Sequence, residues 1–296
     1  DYFFKSDIEG HLQAARNYRF KRKWGIPVRF HDYAKFTQNV DMPLVEFHLS
    51  YKDMDLNLAD YFSGTYSQDF VVHAPELFEG SHLMDLATPD DSYRNFSIEQ
   101  TQRVIDLTRE LKRYFPKTER PQIVANVGGF SRDQNLTSSE IEKGYQIFLE
   151  SLQKLDRDGV EIIPQTMAPF PWHFGGQRYQ NLFVHPKEVA EICEKQGLRM
   201  CLDVSHSFLT CNYFGYDFYE FLETVGPFTT HLHLGDSTGV DGEGLQVGDG
   251  EIDFPRMAEV LNRTCPDATF IPEIWQGHKN GGEGFWVALK SLEGLF

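Results

Sequence analysis

Seven short segments of this chain end in side chains that can bind a metal or a hydroxyl group: EFHLS, VVHAPE, VANVGG, IIPQT, LDVSH, HLHLGD and IPEIW. Together they supply Glu46, His48, His73, Glu76, Asn126, Gln165, Asp203, His206, His231, His233, Asp236 and Glu273. Spacing sharpens the pattern. His206 follows Asp203 by three positions, where a chain turning from strand into helix aims both side chains at one point. His231 and His233 are two apart, so on a strand they share a face. A mixed Asp, His and Glu set suits Mn²⁺, Co²⁺ or Zn²⁺ better than Ca²⁺, which prefers oxygen throughout. A lone DxxH is also an ordinary hydrogen-bonding pair. His233 and Glu273 at other segment ends are what turn the balance toward a metal site.

Each of these residues closes or follows a short β-branched or apolar run. Eight such runs occur, at 27–30, 44–49, 70–74, 122–127, 160–165, 199–204, 229–234 and 269–274. Most are too continuously apolar to face water on one side, as expected of parallel strands covered on both faces. Helical punctuation lies between them. Ser97 with Gln100 predicts a capping box ahead of a helix at 98–115 that Pro116 stops, and Thr137 with Glu140 predicts another to about Leu155. Pro186 opens a helix that Gly197 closes, Asp253 precedes one with Pro255 in its first turn, and a last helix covers 284–292. A basic, amphipathic helix is expected at 6–23. The alternation predicts an α/β fold, a (β/α)8 TIM barrel over residues 26–296, preceded by a helical extension at 1–25. In such a barrel every strand end opens on one face, where active sites are built. Two connections are long, 76–95 and 166–185, and the second carries PFPWHFGGQRYQ. Loops longer than about 12–15 residues in a compact domain are often lids.

Composition narrows the partners. The 28 basic and 44 acidic residues give a formal charge of −16, a field that repels phosphate backbones and anionic membrane surfaces. Neither nucleic acid nor membrane is an expected partner. No apolar run approaches the roughly 18 residues that span a bilayer. The 25 Phe and 13 Tyr suffice for a large core and an aromatic pocket. Cys193, Cys201, Cys211 and Cys265 form no CxxC pair, which fits reduced thiols in a cytoplasmic protein. The chain begins with Asp1 rather than Met, the expectation for a trimmed start or a segment of a longer polypeptide. Homo-oligomerisation and fusion to another enzyme domain both stay open.

The motifs VVHAPE, LDVSH, HLHLGDS followed by VGDGEIDF, and IPEIW with NGG beyond it resemble the xylose-isomerase-like superfamily. That group contains sugar-phosphate isomerases and epimerases and the type 2 AP endonucleases, and the resemblance runs from about Val28 to Leu292. It implies a divalent metal held by Gln165, Asp203, His233 and Glu273, with His206 and His231 beside the substrate. The departures are informative. The endonucleases' fourth-strand histidine corresponds to Asn126, and their Asp-x-His after the seventh strand falls on Gly242 and Gly244. With the acidic charge, this argues against DNA repair. Sugar 3-epimerases of the group use two glutamates to remove and return a proton. The first of those positions is Gln165, whose amide can ligate a metal through oxygen but cannot act as a base. VRFHDY and VEFHLSYKDMDL also resemble stretches of polypeptides related to sialic-acid synthases.

The resemblance implies a metal-dependent sugar isomerase, epimerase or dehydratase, the metal polarising a carbonyl and its neighbouring hydroxyl to ease formation of an enediolate. Glu273 is then the residue that takes a proton from carbon, and His206 holds or shuttles one on oxygen, with His73 in reserve. His231, Asn126, Trp172, His173 and Trp275 are the expected substrate contacts. Basic residues near the mouth are few, notably Lys52, Arg94, Arg178 and Lys279, so a neutral or amino sugar is expected over a phosphorylated one. The competing expectation is a non-catalytic barrel that binds a sugar or organises a larger sugar-acid synthase. An AP endonuclease ranks third.

Overall fold

The computed structural model describes residues 7–171 and 178–296. All eight apolar runs are strands: β1 Gly25–Val28, β2 Leu44–His48, β3 Asp69–His73, β4 Gln122–Ala125, β5 Glu161–Pro164, β6 Met200–Asp203, β7 Thr229–Leu234 and β8 Thr269–Pro272. The first five pair in parallel in chain order, as do the last three. Two parallel bridges, Gln165 with Cys201 and Trp24 with Phe270, join the two sets at both seams and close the barrel. Around it lie α1 Ile8–Ala15, α2 Tyr33–Thr37, α3 Asp91–Leu111, α4 Ser138–Gln153, α5 Pro186–Gln196, α6 Val204–Phe214, α7 Phe218–Val225, α8 Phe254–Thr264 and α9 Lys279–Leu292. No helix among the described residues is long and apolar enough to cross a membrane.

The interior of the barrel explains why chemistry gathers at one end. Leu44, Val71, Val124, Ile163, Cys201 and Ile271 form a small buried cluster of their own, separate from the larger core between strands and helices. Side chains two residues apart share a strand face. One pleat repeat further along, roughly 6.6 Å, the same strands present Glu46, His73, Asn126, Gln165, Asp203 and Glu273. The lining passes from hydrocarbon to polar within that single step.

Several helices keep the punctuation read from sequence. Thr137 N and Oγ1 lie 2.8 and 2.7 Å from Glu140 Oε2, the reciprocal cap of α4. Asp253 Oδ1 accepts the Arg256 amide at 3.1 Å, and Gly197 ends α5 with φ +62°. Helix α3 departs from expectation. It starts at Asp91 because Asp90 takes the Tyr93 amide at 3.0 Å, while Ser97 sits inside the helix with Oγ accepting the Asp85 amide at 3.0 Å. The amino-terminal helix is shorter than 6–23 and ends at Ala15. Asn280, Gly281 and Gly282 have positive φ, so the regular turns of α9 begin just after them, close to the expected 284–292.

Candidate functional site

His233 lies at the centre. Its Nδ1 is 2.6 Å from Glu273 Oε2 and 3.7 Å from Asp203 Oδ2. The 2.6 Å pair is not aligned for hydrogen bonding, and both atoms are buried without a hydrogen-bond partner among the described residues. Gln165 Oε1 is buried and unpartnered too. A bare buried polar atom costs about 1–3 kcal/mol, so three of them from the strand ends are balanced best by a cation. Imidazole, carboxylate and amide oxygen together suit Mn²⁺, Co²⁺ or Zn²⁺. Among the described residues the ligand atoms of His73, His233 and Glu273 lie close enough to share a divalent ion, with Asp203 Oδ2 3.7 Å from His233 Nδ1 beside them. His73 joins the group. It stacks on His233 with centroids 5.7 Å apart, and its ligand atom lies within 4.8 Å of those of His233 and Glu273.

The orientation of Gln165 has a local cause. Its Nε2 donates to Glu76 Oε1 at 3.0 Å, which leaves the carbonyl oxygen as the free end. Burial pushes the Glu76 carboxyl up to about 7. Asp203 caps α6 by accepting the His206 amide at 2.8 Å, so the DxxH spacing is an N-cap that also brings His206 Nδ1 within 3.6 Å of Asp203 Oδ2. That ring is also anchored by Nδ1 on the Thr166 carbonyl, 3.0 Å away, and its Nε2 lies 3.5 Å from Glu243 Oε2. Burial disfavours its charged form, but Asp203, Glu243 and Glu273 outweigh this and hold His206 up at about 9. Burial, helped by neighbouring His48, pulls His73 down to about 4. Burial also opposes ionisation of Glu273, yet His233 holds that carboxyl well below its usual range.

The other expected contacts are placed differently. His231 is fully buried, one pleat deeper than His233, with Nε2 2.5 Å from Glu46 Oε2 and Nδ1 2.6 Å from Thr269 Oγ1. It therefore forms the floor beneath the cluster rather than a wall beside a substrate. Asn126 is buried and spends Oδ1 on the Gly128 amide at 3.0 Å, pinning a turn in which Gly128 and Gly129 both have positive φ. Trp275 stands at the rim, 66% exposed, held by its amide on the Gly244 carbonyl at 2.7 Å. Trp172 and His173 lie outside the described residues. Beside the cluster opens a cavity of about 270 Å³, lined among others by Arg29, His31, His48, Glu273 and His278.

Three acidic residues matter more than the sequence suggested. Glu46 and Glu76 stood among the strand-end polar residues without a role. Glu243 has no periodic pattern around it: it sits on a short strand, Gly242–Leu245, paired antiparallel with Asp236–Thr238 in the loop that follows β7. Buried Asp236 builds that loop, accepting the amides of Ser237, Gly248, Gly250 and Ile252 at 2.8–3.1 Å. A Cβ on Gly250 would come within 2.4 Å of Asp236 Oδ1, so the VGDG motif needs glycine there. Ser205 then ties the Gly244 amide at 3.0 Å, next to Glu243.

Comparison with known proteins agrees with this architecture. The chain is 27% identical over 239 residues to a protein of Natronomonas pharaonis named "Probable endonuclease 4", covering 75% of this chain and 77% of that one. Among solved structures, a D-tagatose 3-epimerase-like protein superposes with TM-score 0.62 at 20% identity, over 91% of this chain and 98% of that one. Endonuclease IV from Thermus thermophilus superposes with TM-score 0.56 at 15% identity, over 91% of this chain and 99% of that one. The profile of the xylose isomerase-like TIM barrel family matches residues 34–292. This chain belongs to that family.

Proposed function

We propose that this protein is a divalent-metal-dependent isomerase or epimerase that moves a proton on a sugar or keto-sugar. The observation that supports the reading is the meeting of unpartnered His233 Nδ1 and Glu273 Oε2 with Asp203 at one end of the barrel, where Gln165 also leaves its Oε1 bare. An ion bound there would supply Lewis-acid polarisation of a carbonyl and an adjacent hydroxyl. Gln165, Asp203, His233 and Glu273 hold it in this reading. Glu273 takes the proton from carbon. His206, protonated at neutral pH, holds the proton on oxygen. Glu76 supplies, from beyond β3 two strands over, the carboxyl that Gln165 lacks, and its position near 7 suits a group that both gives and takes a proton. Trp275 covers the substrate from the rim. Arg29, the strongest cation of the cavity, is already paired with Asp53 at 3.1 Å, which favours a sugar without phosphate. A small sugar as ligand, no nucleic-acid or membrane partner, and a cytoplasmic setting belong to the same reading.

The relatives named endonuclease 4 favour a second reading, cleavage of DNA at abasic sites. The −16 charge, Asn126 and the glycines at 242 and 244 weigh against it. One set of assays separates the two. Metal-free protein loaded in turn with Mn²⁺, Co²⁺ and Zn²⁺ is expected to take up about one ion per chain, to lose it in Asp203→Ala, and to convert a ketose only when loaded. Metal-dependent incision of an abasic duplex without sugar turnover would establish the nuclease instead. A loaded protein inert toward both would favour the sugar-binding or scaffolding barrel.

A further inference from the structure

We propose that Glu46 is a positioning residue that decides which nitrogen of His233 faces Asp203 and Glu273, and that His231 and Thr269 lock Glu46 in that role. The inference rests on reading the cluster as a divalent-ion site. Glu46 is completely buried, from β2 on the inner face of the barrel. A carboxylate there is costly unless it is paired and hydrogen-bonded. Its Oε2 lies 2.5 Å from His231 Nε2 and 3.1 Å from His233 Nε2, and its Oε1 lies 2.8 Å from His48 Nε2, a third histidine beside the carboxylate.

The hydrogen inventory then leaves little freedom. An ionised carboxylate only accepts, and a neutral imidazole offers one donor and one acceptor. His231 therefore donates from Nε2, accepts at Nδ1, and receives the hydroxyl hydrogen of Thr269 across 2.6 Å. Its complete burial favours this neutral form. His233 likewise donates from Nε2 to Glu46. In its neutral form that leaves the lone pair on Nδ1, the atom beside Glu273 and Asp203. The opposite tautomer would press a lone pair against a buried carboxylate and aim a hydrogen into the cluster. Histidines that ligate metals generally donate their second ring N–H to such an acceptor. The line Thr269–His231–Glu46–His233 thus runs from β8 through β7 and β2 and back to β7.

Nuclear magnetic resonance of ¹⁵N-histidine-labelled, Zn²⁺-loaded wild-type protein reads the tautomers without any activity assay. The expected spectrum has His233 metal-bound at Nδ1 with hydrogen on Nε2, and His231 with hydrogen on Nε2. Coordination through His233 Nε2, or hydrogen on His231 Nδ1, would overturn the proposal. Chelator competition gives the energetic arm. Glu46→Gln keeps the shape but not the charge and is expected to weaken Zn²⁺ binding about 10–100-fold. Thr269→Val, which leaves Glu46 in place, is expected to weaken it less. Unchanged affinity in Glu46→Gln would contradict the proposal, and if that variant does not fold, the wild-type spectrum and Thr269→Val decide. A wild-type protein that takes up no Zn²⁺ removes both the ion-site reading and this inference. An ion held through the other nitrogen removes the inference alone.

Discussion

At Gln165 a neutral amide stands beside the carboxyl of Glu76, and the hydrogen bond between them leaves the amide oxygen bare. Replacing Gln165 by Glu would set two carboxyl groups about 3 Å apart, so one of them must hold a proton. The expected outcome is tighter metal binding, measured by chelator competition, because a charged oxygen replaces a neutral one. Glu273→Gln is expected to lower turnover by roughly 10²–10⁴, the usual contribution of a positioned base. Proton exchange that persists in Glu273→Gln with the ion still bound would place the base elsewhere, with Glu76 and His206 next to be tested. At this scale the sequence disclosed residue types better than depth. Asp203, His233 and Glu273 were legible as polar residues closing apolar runs, and their grouping around an ion was what the family resemblance implied. His231 has the same parity as His233, and only strand register shows that it lies opposite Cys201 and Thr269, below the opening. Glu243 had no signal, since its place depends on a loop folded around Asp236.

Among the elements, the eight strands were readable because each is a short, continuously apolar run, while one helix start was misread. The Ser97–Gln100 pair looks like a cap, but Asp90 lies earlier and wins the free amides of α3. The caps that do act should be measurable. Asp253→Ala is expected to cost about 1 kcal/mol through loss of the bond to the Arg256 amide, with Asp253→Asn near neutral in chemical denaturation. Asp85 offers a pH test away from the cluster. Its Oδ1 accepts the amides of Gly129 and Ala87, both at 3.0 Å, and burial pushes the carboxyl from 3.8 up to about 6. The fold therefore favours the protonated form, and this contribution is intact below about pH 4 and lost as pH rises through about 6. Asp85→Asn keeps an accepting oxygen without the charge. Its stability relative to wild type should improve by roughly 1–3 kcal/mol between pH 4 and pH 7. A pH-independent difference would show that Asp85 ionises freely in the folded protein.

For the molecule as a whole, the charge of −16 bears on the choice between sugar and nucleic acid. A chain with this field is expected to leave an abasic duplex unbound at moderate salt, and tight, salt-sensitive binding in a mobility-shift assay would contradict that. The barrel itself was predictable from the order of strands and helices. The reaction was not, because the same barrel frames relatives named for epimerisation and for DNA cleavage. In the proposed reaction a bound ion and Glu273 would together remove a proton from carbon. Incubation of the loaded protein with a panel of ketoses and amino sugars in D₂O, followed by proton NMR, tests it most directly. Deuterium should enter at the carbon next to the carbonyl of at least one sugar, only with the ion present, and not in Asp203→Ala. No incorporation into any sugar by wild-type protein with its ion site filled would contradict the account.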